Sequence, residues 1–135
     1  MPGVRVLLAD DHPDMLDHLV KLLQRDFEVV GTVRNGRALV EAVAVTNPDL
    51  IISDVSMPIL SGIEAVVQVK TTGSTAKIIF VTVHEDPDYI SAALDAGVDG
   101  YIVKSRLAAD LMTAIGKVLK GQCFISPSAK YKRPA

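Results

Sequence analysis

Short apolar runs alternate with longer amphipathic ones along most of the chain. Val4 to Ala9 reads as a buried strand. Pro13 to Arg25 follows, with Leu16, Leu19, Val20 and Leu23 at helical spacing. Pro13 suits a first helical position, where its missing N–H would have no partner anyway. Phe27 to Thr32 predicts a second, more mixed strand, and Gly36 to Thr46 a helix. Asn47-Pro48-Asp49 breaks the chain. Leu50 to Asp54 predicts a third strand, Ser61 to Thr71 a helix stopped at Gly73, and Ile78 to Val83 a fourth strand. Pro87 to Ala96 is a helix ended by Gly97, and Tyr101 to Val103 a short fifth strand. The last helix, Ala108 to Lys120, carries Leu111, Met112, Ile115, Val118 and Leu119 on one face and stops at Gly121.

Five βα units in a row imply parallel strands covered by helices on both faces. Each crossover is right-handed. The apolar first, third and fourth strands belong in the middle of the sheet, and the mixed second strand at an edge. The expected fold is therefore α/β: a doubly wound, five-stranded parallel sheet of order 2-1-3-4-5, flavodoxin-like. After Gly121 the chain reads as irregular.

Composition narrows the picture only a little. The 135 residues fit one domain, 49% hydrophobic and 22% charged. A net charge of −2 offers no broad positive field to nucleic acid. The single cysteine, Cys123, excludes an internal disulfide and any multi-cysteine metal site. It reads as a small structural residue, without an activating base. A reducing cytoplasm is the expected compartment. No apolar run approaches the roughly 20 residues needed to span a bilayer, and the N-terminus lacks the apolar stretch of a signal peptide. No membrane partner is expected.

Candidate chemistry lies where such sheets build their sites, beyond the carboxyl ends of the strands. The first strand ends in Asp10-Asp11 and the third in Asp54; the fourth carries Thr82, and Lys104 follows the fifth. Three carboxylates, a hydroxyl and an ammonium thus meet on one rim. Taken alone, Asp10-Asp11 is a helix cap, Thr82 a β-branched strand residue, and Lys104 a solvated lysine. Their joint placement is the specific signal. Three carboxylates together repel one another, and a hard divalent cation such as Mg²⁺ relieves that repulsion through oxygen ligands. A cation beside Asp54 also neutralises an incoming phosphoryl group. Lys104 counters a second phosphoryl oxygen, and the Thr82 hydroxyl donates to a third. Asp54 is left as the nucleophile.

Asp10-Asp11, Asp54-Val55-Ser56-Met57-Pro58, Val81-Thr82 and Tyr101-Ile102-Val103-Lys104 together resemble the response-regulator receiver pattern. The resemblance runs from about Val4 to Gly121. It implies a receiver domain over residues 1–121, with 122–135 a C-terminal tail or the start of a linker. It further implies that Asp54 accepts a phosphoryl group from the phosphohistidine of a sensor histidine kinase. Asp11, Asp54 and the Ser56 carbonyl would bind Mg²⁺, Asp10 would assist through water, and Thr82 and Tyr101 would form a switch pair. Such a domain is a self-phosphorylating switch rather than a turnover enzyme. Met57-Pro58, Gly62-Ile63-Glu64-Ala65, His84-Glu85-Asp86 and Ile125-Ser126-Pro127 look most like the NarL/FixJ-type subfamily. There a helix-turn-helix output domain normally follows, so the chain reads as the regulatory part of a transcriptional regulator. No such domain lies in these 135 residues, and a stand-alone receiver is the alternative. The chain alone is not expected to bind DNA specifically; a second copy, joined on phosphorylation into a homodimer, is the other partner considered. Ser105 stands where the commoner receiver pattern has proline.

Two other classes fit poorly. A haloacid-dehalogenase-like phosphatase resembles its relatives in a second Asp two positions after the nucleophile, and Ser56 stands there. A nucleotide- or flavin-binding domain needs a glycine-rich phosphate loop after the first strand, and Asp10-Asp11-His12 would repel phosphate. His84 has no nearby histidine or cysteine to complete a metal set; it reads as a loop residue near the site. His12 and His18 read as surface residues. Tyr101 is alternatively plain core. Lys130, Lys132 and Arg133 read as a solvated terminus.

Overall fold

A computed structural model describes residues 3–127; the basic residues of the tail lie outside them. Strand β1 (Arg5–Ala9) leads to helix α1 (Pro13–Leu23), β2 (Glu28–Val33) to α2 (Gly36–Thr46), and β3 (Leu50–Ser53) to α3 (Gly62–Thr71). Then come β4 (Lys77–Thr82), α4 (Pro87–Asp95), β5 (Gly100–Val103), a 3-10 turn (Lys104–Arg106), α5 (Leu107–Leu119) and β6 (Phe124–Ile125). Each predicted element is present, its ends within two residues of the expected bounds.

The sheet corrects the expectation in one respect. It has six parallel strands, not five, in the order β2-β1-β3-β4-β5-β6. The extra strand, β6, lies in the stretch expected to be irregular, and pairs Gly100 with Phe124 and Tyr101 with Ile125. A two-residue strand leaves no alternation to detect in a sequence.

Period-2 side-chain alternation sorts the core into two layers. Leu7, Ala9, Ile51, Ile78, Phe80 and Tyr101 meet Leu39 of α2, Val66 and Val69 of α3 and Ile90 of α4. Val6, Leu8, Ile52, Ile79, Val81 and Ile102 meet Leu16 and Leu19 of α1 and Leu111, Ile115 and Val118 of α5. Burial of each Val, Leu, Ile or Phe among them is worth about 1.5–3 kcal/mol. Met112, expected on the apolar face of α5, instead points out and is 49% exposed. Its place on that face is taken by Leu107 and Ala114, both buried. Cys123 is exposed rather than structural.

Two close approaches hold the loop after β3. A Cβ on Gly62 would lie 2.2 Å from the carbonyl oxygen of Asp54, and one on Gly36 would lie 2.0 Å from that of Leu60. Glycine is required where backbones come this near. Between them Ile59, exposed, adopts φ 71°, a conformation β-branched residues rarely take. Peptide bonds among the described residues are trans, including the one before Ser105.

Candidate functional site

Strand register decides which side chains share the rim. Ala9 pairs with Ser53, so Asp10 and Asp54 leave neighbouring strands at the same level. The Asp54 N–H continues the ladder to the Ala9 carbonyl at 3.0 Å. Thr82 pairs with Val103, so Lys104 emerges next to Thr82. The apolar residues before each of these positions are what hold the polar ones in place.

Asp10 is 1% exposed and Asp54 5%. Burying two carboxylates needs a partner charge, and Lys104 provides it. Its Nζ lies 3.1 Å from Asp54 Oδ2 and 3.2 Å from Asp10 Oδ2. Burial acts to lower the Lys104 pKa, but the hydrogen bond and charge of Asp54, with those of Asp10, outweigh it and raise the value overall. The other Asp54 oxygen accepts the Ser56 N–H at 3.3 Å.

Asp11 is different. The Nδ1 of His12 lies 3.0 Å from Oδ1 of both Asp10 and Asp11, but only the approach to Asp10 has hydrogen-bond geometry. Oδ1 of Asp11 is buried without a partner. An orphaned carboxylate oxygen beside two other carboxylates is unfavourable unless a cation occupies the gap. One ligand atom from each of Asp10, Asp11, His12 and Asp54 lies within 4.8 Å of the others. This donor set fits a small hard cation, which takes oxygen ligands. An open groove of about 510 Å³ reaches this cluster, walled by Asp11, Ser56, Met57, Pro58, Ile63 and Tyr89.

Thr82 is fully buried, and its Oγ1 accepts the His84 N–H at 3.3 Å. Tyr101 is also buried; its hydroxyl donates to the His84 carbonyl at 2.8 Å. Burial, then the charge of Asp54, pushes this phenol well above its ordinary range. His84 thus joins both residues expected to act as a switch. Its ring stacks on Tyr89, with centroids 4.0 Å apart, and its Nε2 meets the Ser56 hydroxyl at 2.9 Å. The sequence places His84 in a loop near the site, as found, but its carbonyl's bond to Tyr101 is a tertiary contact that no motif signals. His12 is exposed as expected, yet its ring reaches both acids of the rim.

The family model for the response regulator receiver domain matches residues 6–116. The chain is a response regulator receiver domain. This receiver is 35% identical over 129 residues to a nitrate/nitrite response regulator protein homolog of Haemophilus influenzae, covering 94% of this chain and 62% of that protein. It spans about three fifths of the curated relatives it matches. In structure it resembles a LuxR-family two-component response regulator from Aurantimonas sp. SI85-9A1, with a TM-score of 0.88 at 30% identity, over 93% of this chain and 91% of that one. It also resembles the isolated receiver of RcsB from Salmonella enterica serovar Typhimurium, determined in the presence of the phosphomimetic BeF3⁻. There the TM-score is 0.85 at 30% identity, over 93% and 95% of the two chains. The expected family and its NarL-type branch therefore hold.

Proposed function

We propose that this receiver takes a phosphoryl group onto Asp54 from the phosphohistidine of a sensor histidine kinase, in a Mg²⁺-dependent reaction. The observation that carries the reading is the Lys104 ammonium, shared between Asp54 and Asp10 beside the unpartnered Asp11 oxygen. A carboxylate oxygen of Asp54 forms the new O–P bond. The P–N bond to the donor imidazole breaks, and its electron pair stays on the ring nitrogen. Asp11, Asp54 and the Ser56 carbonyl would hold the cation, with Asp10 assisting through water. When bound, the cation offsets the charge of the acids and of the incoming phosphoryl oxygens.

The remaining work belongs to this chain's own residues. Lys104 turns toward one phosphoryl oxygen, a charge already held in reach. Thr82 accepts from the His84 N–H, so its own proton is free to donate to another oxygen. The transition state is loose and spreads charge over the equatorial oxygens, so positioning supplies most of the catalysis. Thr82, in moving, draws on His84, whose carbonyl also holds Tyr101. That linkage carries the state of Asp54 to the surface around α4, β5 and α5. A partner or second copy preferring one arrangement shifts the population.

The relatives' greater length, and the description of two from Bacillus subtilis as transcriptional regulatory proteins, support a role as the regulatory part of a transcription factor; we read that part as a cytoplasmic switch rather than a turnover enzyme. Among the described residues no helix is long and apolar enough to cross a membrane. The test is intact mass after incubation with a small phosphoryl donor and Mg²⁺. The parent gains one phosphoryl mass and Asp54→Asn none; equal gain by the variant refutes the assignment.

A further inference from the structure

One buried charge has no part in the chemistry above. Asp110, in the first turn of α5, is 5% exposed. It accepts from Arg106 Nε at 3.0 Å and Nη2 at 2.9 Å, and from the Ser126 hydroxyl at 2.8 Å. Arg106 holds the Asp110 carboxyl below its ordinary range against the opposing effect of burial, and Ser126 adds to the lowering. Ser126, itself 2% exposed, also accepts the Val103 N–H on Oγ at 3.1 Å and donates its N–H to the Tyr101 carbonyl at 2.9 Å. Polar groups from β5, the 3-10 turn, α5 and the residue after β6 are thereby joined in one network.

An apolar side chain at position 110 would pack α5 without the penalty of a buried charge, so the network's benefit is geometric. Arg106 and Lys104 are the two ends of one three-residue 3-10 turn. Such a turn has few internal hydrogen bonds and takes its shape from its ends. At one end Val103 is fixed by Ser126; at the other Arg106 is fixed by Asp110. Lys104 projects from the clamped turn onto Asp54 and Asp10.

We infer that Arg106, Asp110 and Ser126 are positioning residues for Lys104, setting how strongly the site holds a phosphoryl group and tying that setting to the segment containing β6. The inference rests on the proposed contact between Lys104 and the phosphoryl group. The experiment is calorimetric titration of the purified chain with Mg²⁺ alone and with beryllofluoride in saturating Mg²⁺. Ser126→Ala and Asp110→Asn should weaken beryllofluoride binding about ten-fold, the loss expected from one hydrogen bond to a charged group, while Mg²⁺ affinity is unchanged. Ser126→Thr should restore it. Arg106→Lys, which keeps the charge and loses the fork, should weaken it without threatening the fold. In a Lys104→Ala background, Ser126→Ala should add nothing further. Parental affinity in Ser126→Ala, Asp110→Asn and Arg106→Lys, with Lys104→Ala weakened, overturns the positioning role and leaves the site reading intact. Full additivity with Lys104→Ala does the same. Parental affinity in Lys104→Ala overturns the site reading and the inference with it.

Discussion

Asp11→Asn should make the metal-free protein more stable while abolishing its response to Mg²⁺. The ligand atoms of Asp10, Asp11 and Asp54 lie within 4.8 Å of one another. At that distance two like charges repel by about 0.9 kcal/mol in water and about 3.5 kcal/mol at an effective dielectric of about 20. Asp11 faces two such neighbours, but its side chain is 34% exposed, and Lys104 offsets part of the repulsion. Its Oδ1 makes no hydrogen bond that the amide would forfeit. A net gain of about 1 kcal/mol follows, or about 4 °C in Tm for a domain of this size. Cation at ten times its Kd stabilises the parent by about 1.4 kcal/mol, and the variant hardly at all. Thermal unfolding in a chelator and in Mg²⁺ should therefore reverse the order of the two proteins. Asp17→Asn, on the exposed side of α1, should change neither curve. A variant that melts below the parent in chelator would refute the reasoning, because Asp11 would then be held by attraction rather than by its function.

Gly62→Ala should destabilise the fold by about 2 kcal/mol or more in urea, because its Cβ would meet the Asp54 carbonyl oxygen at 2.2 Å. Gly116→Ala, with nothing within 4 Å and a place inside α5, should stabilise by about 0.5–1 kcal/mol. The Lys104 pKa is raised in the fold. Its contribution is therefore whole below the unfolded value of 10.5 and is lost as pH climbs through the folded one; Lys104→Met should flatten the alkaline limb of the stability profile. Thr82→Ala should uncouple the Tyr101 rotamer from beryllofluoride, read by Tyr101 side-chain NMR, and unchanged coupling would argue for a static core tyrosine. The chain alone should give no sequence-selective DNA shift at physiological salt in an electrophoretic assay.

The sheet and its rim were legible because buried parallel strands announce themselves as apolar runs, and the residue after each run stands at a carboxyl end. Asp10, Asp54 and Lys104 meet in space for that reason. What escaped was decided by tertiary contact. β6 is two residues long and is a strand only because β5 offers it an edge. Asp110 looks like any polar position on an amphipathic helix. Its spacing of four from Arg106 was a readable sign of pairing, but its burial comes from Ser126, sixteen residues away. His84 meets Tyr101 through its backbone carbonyl, which leaves no mark in residue type, and its stack on Tyr89 depends on how the loop folds rather than on any motif.

The strand register has a consequence for biosynthesis. Asp10, Asp54, Thr82 and Lys104 come from four strands that span most of the chain, and each occupies its place only when its neighbours are paired. Parallel pairing of this kind requires long loop closures. A nascent chain that has not yet released β5 from the ribosome lacks the Lys104 ammonium that pairs with Asp10 and Asp54. A molecule trapped partway to the native state has none correctly aimed. The complete rim therefore arrives last, with the fold itself, and a chain that displays it has already passed its own quality control.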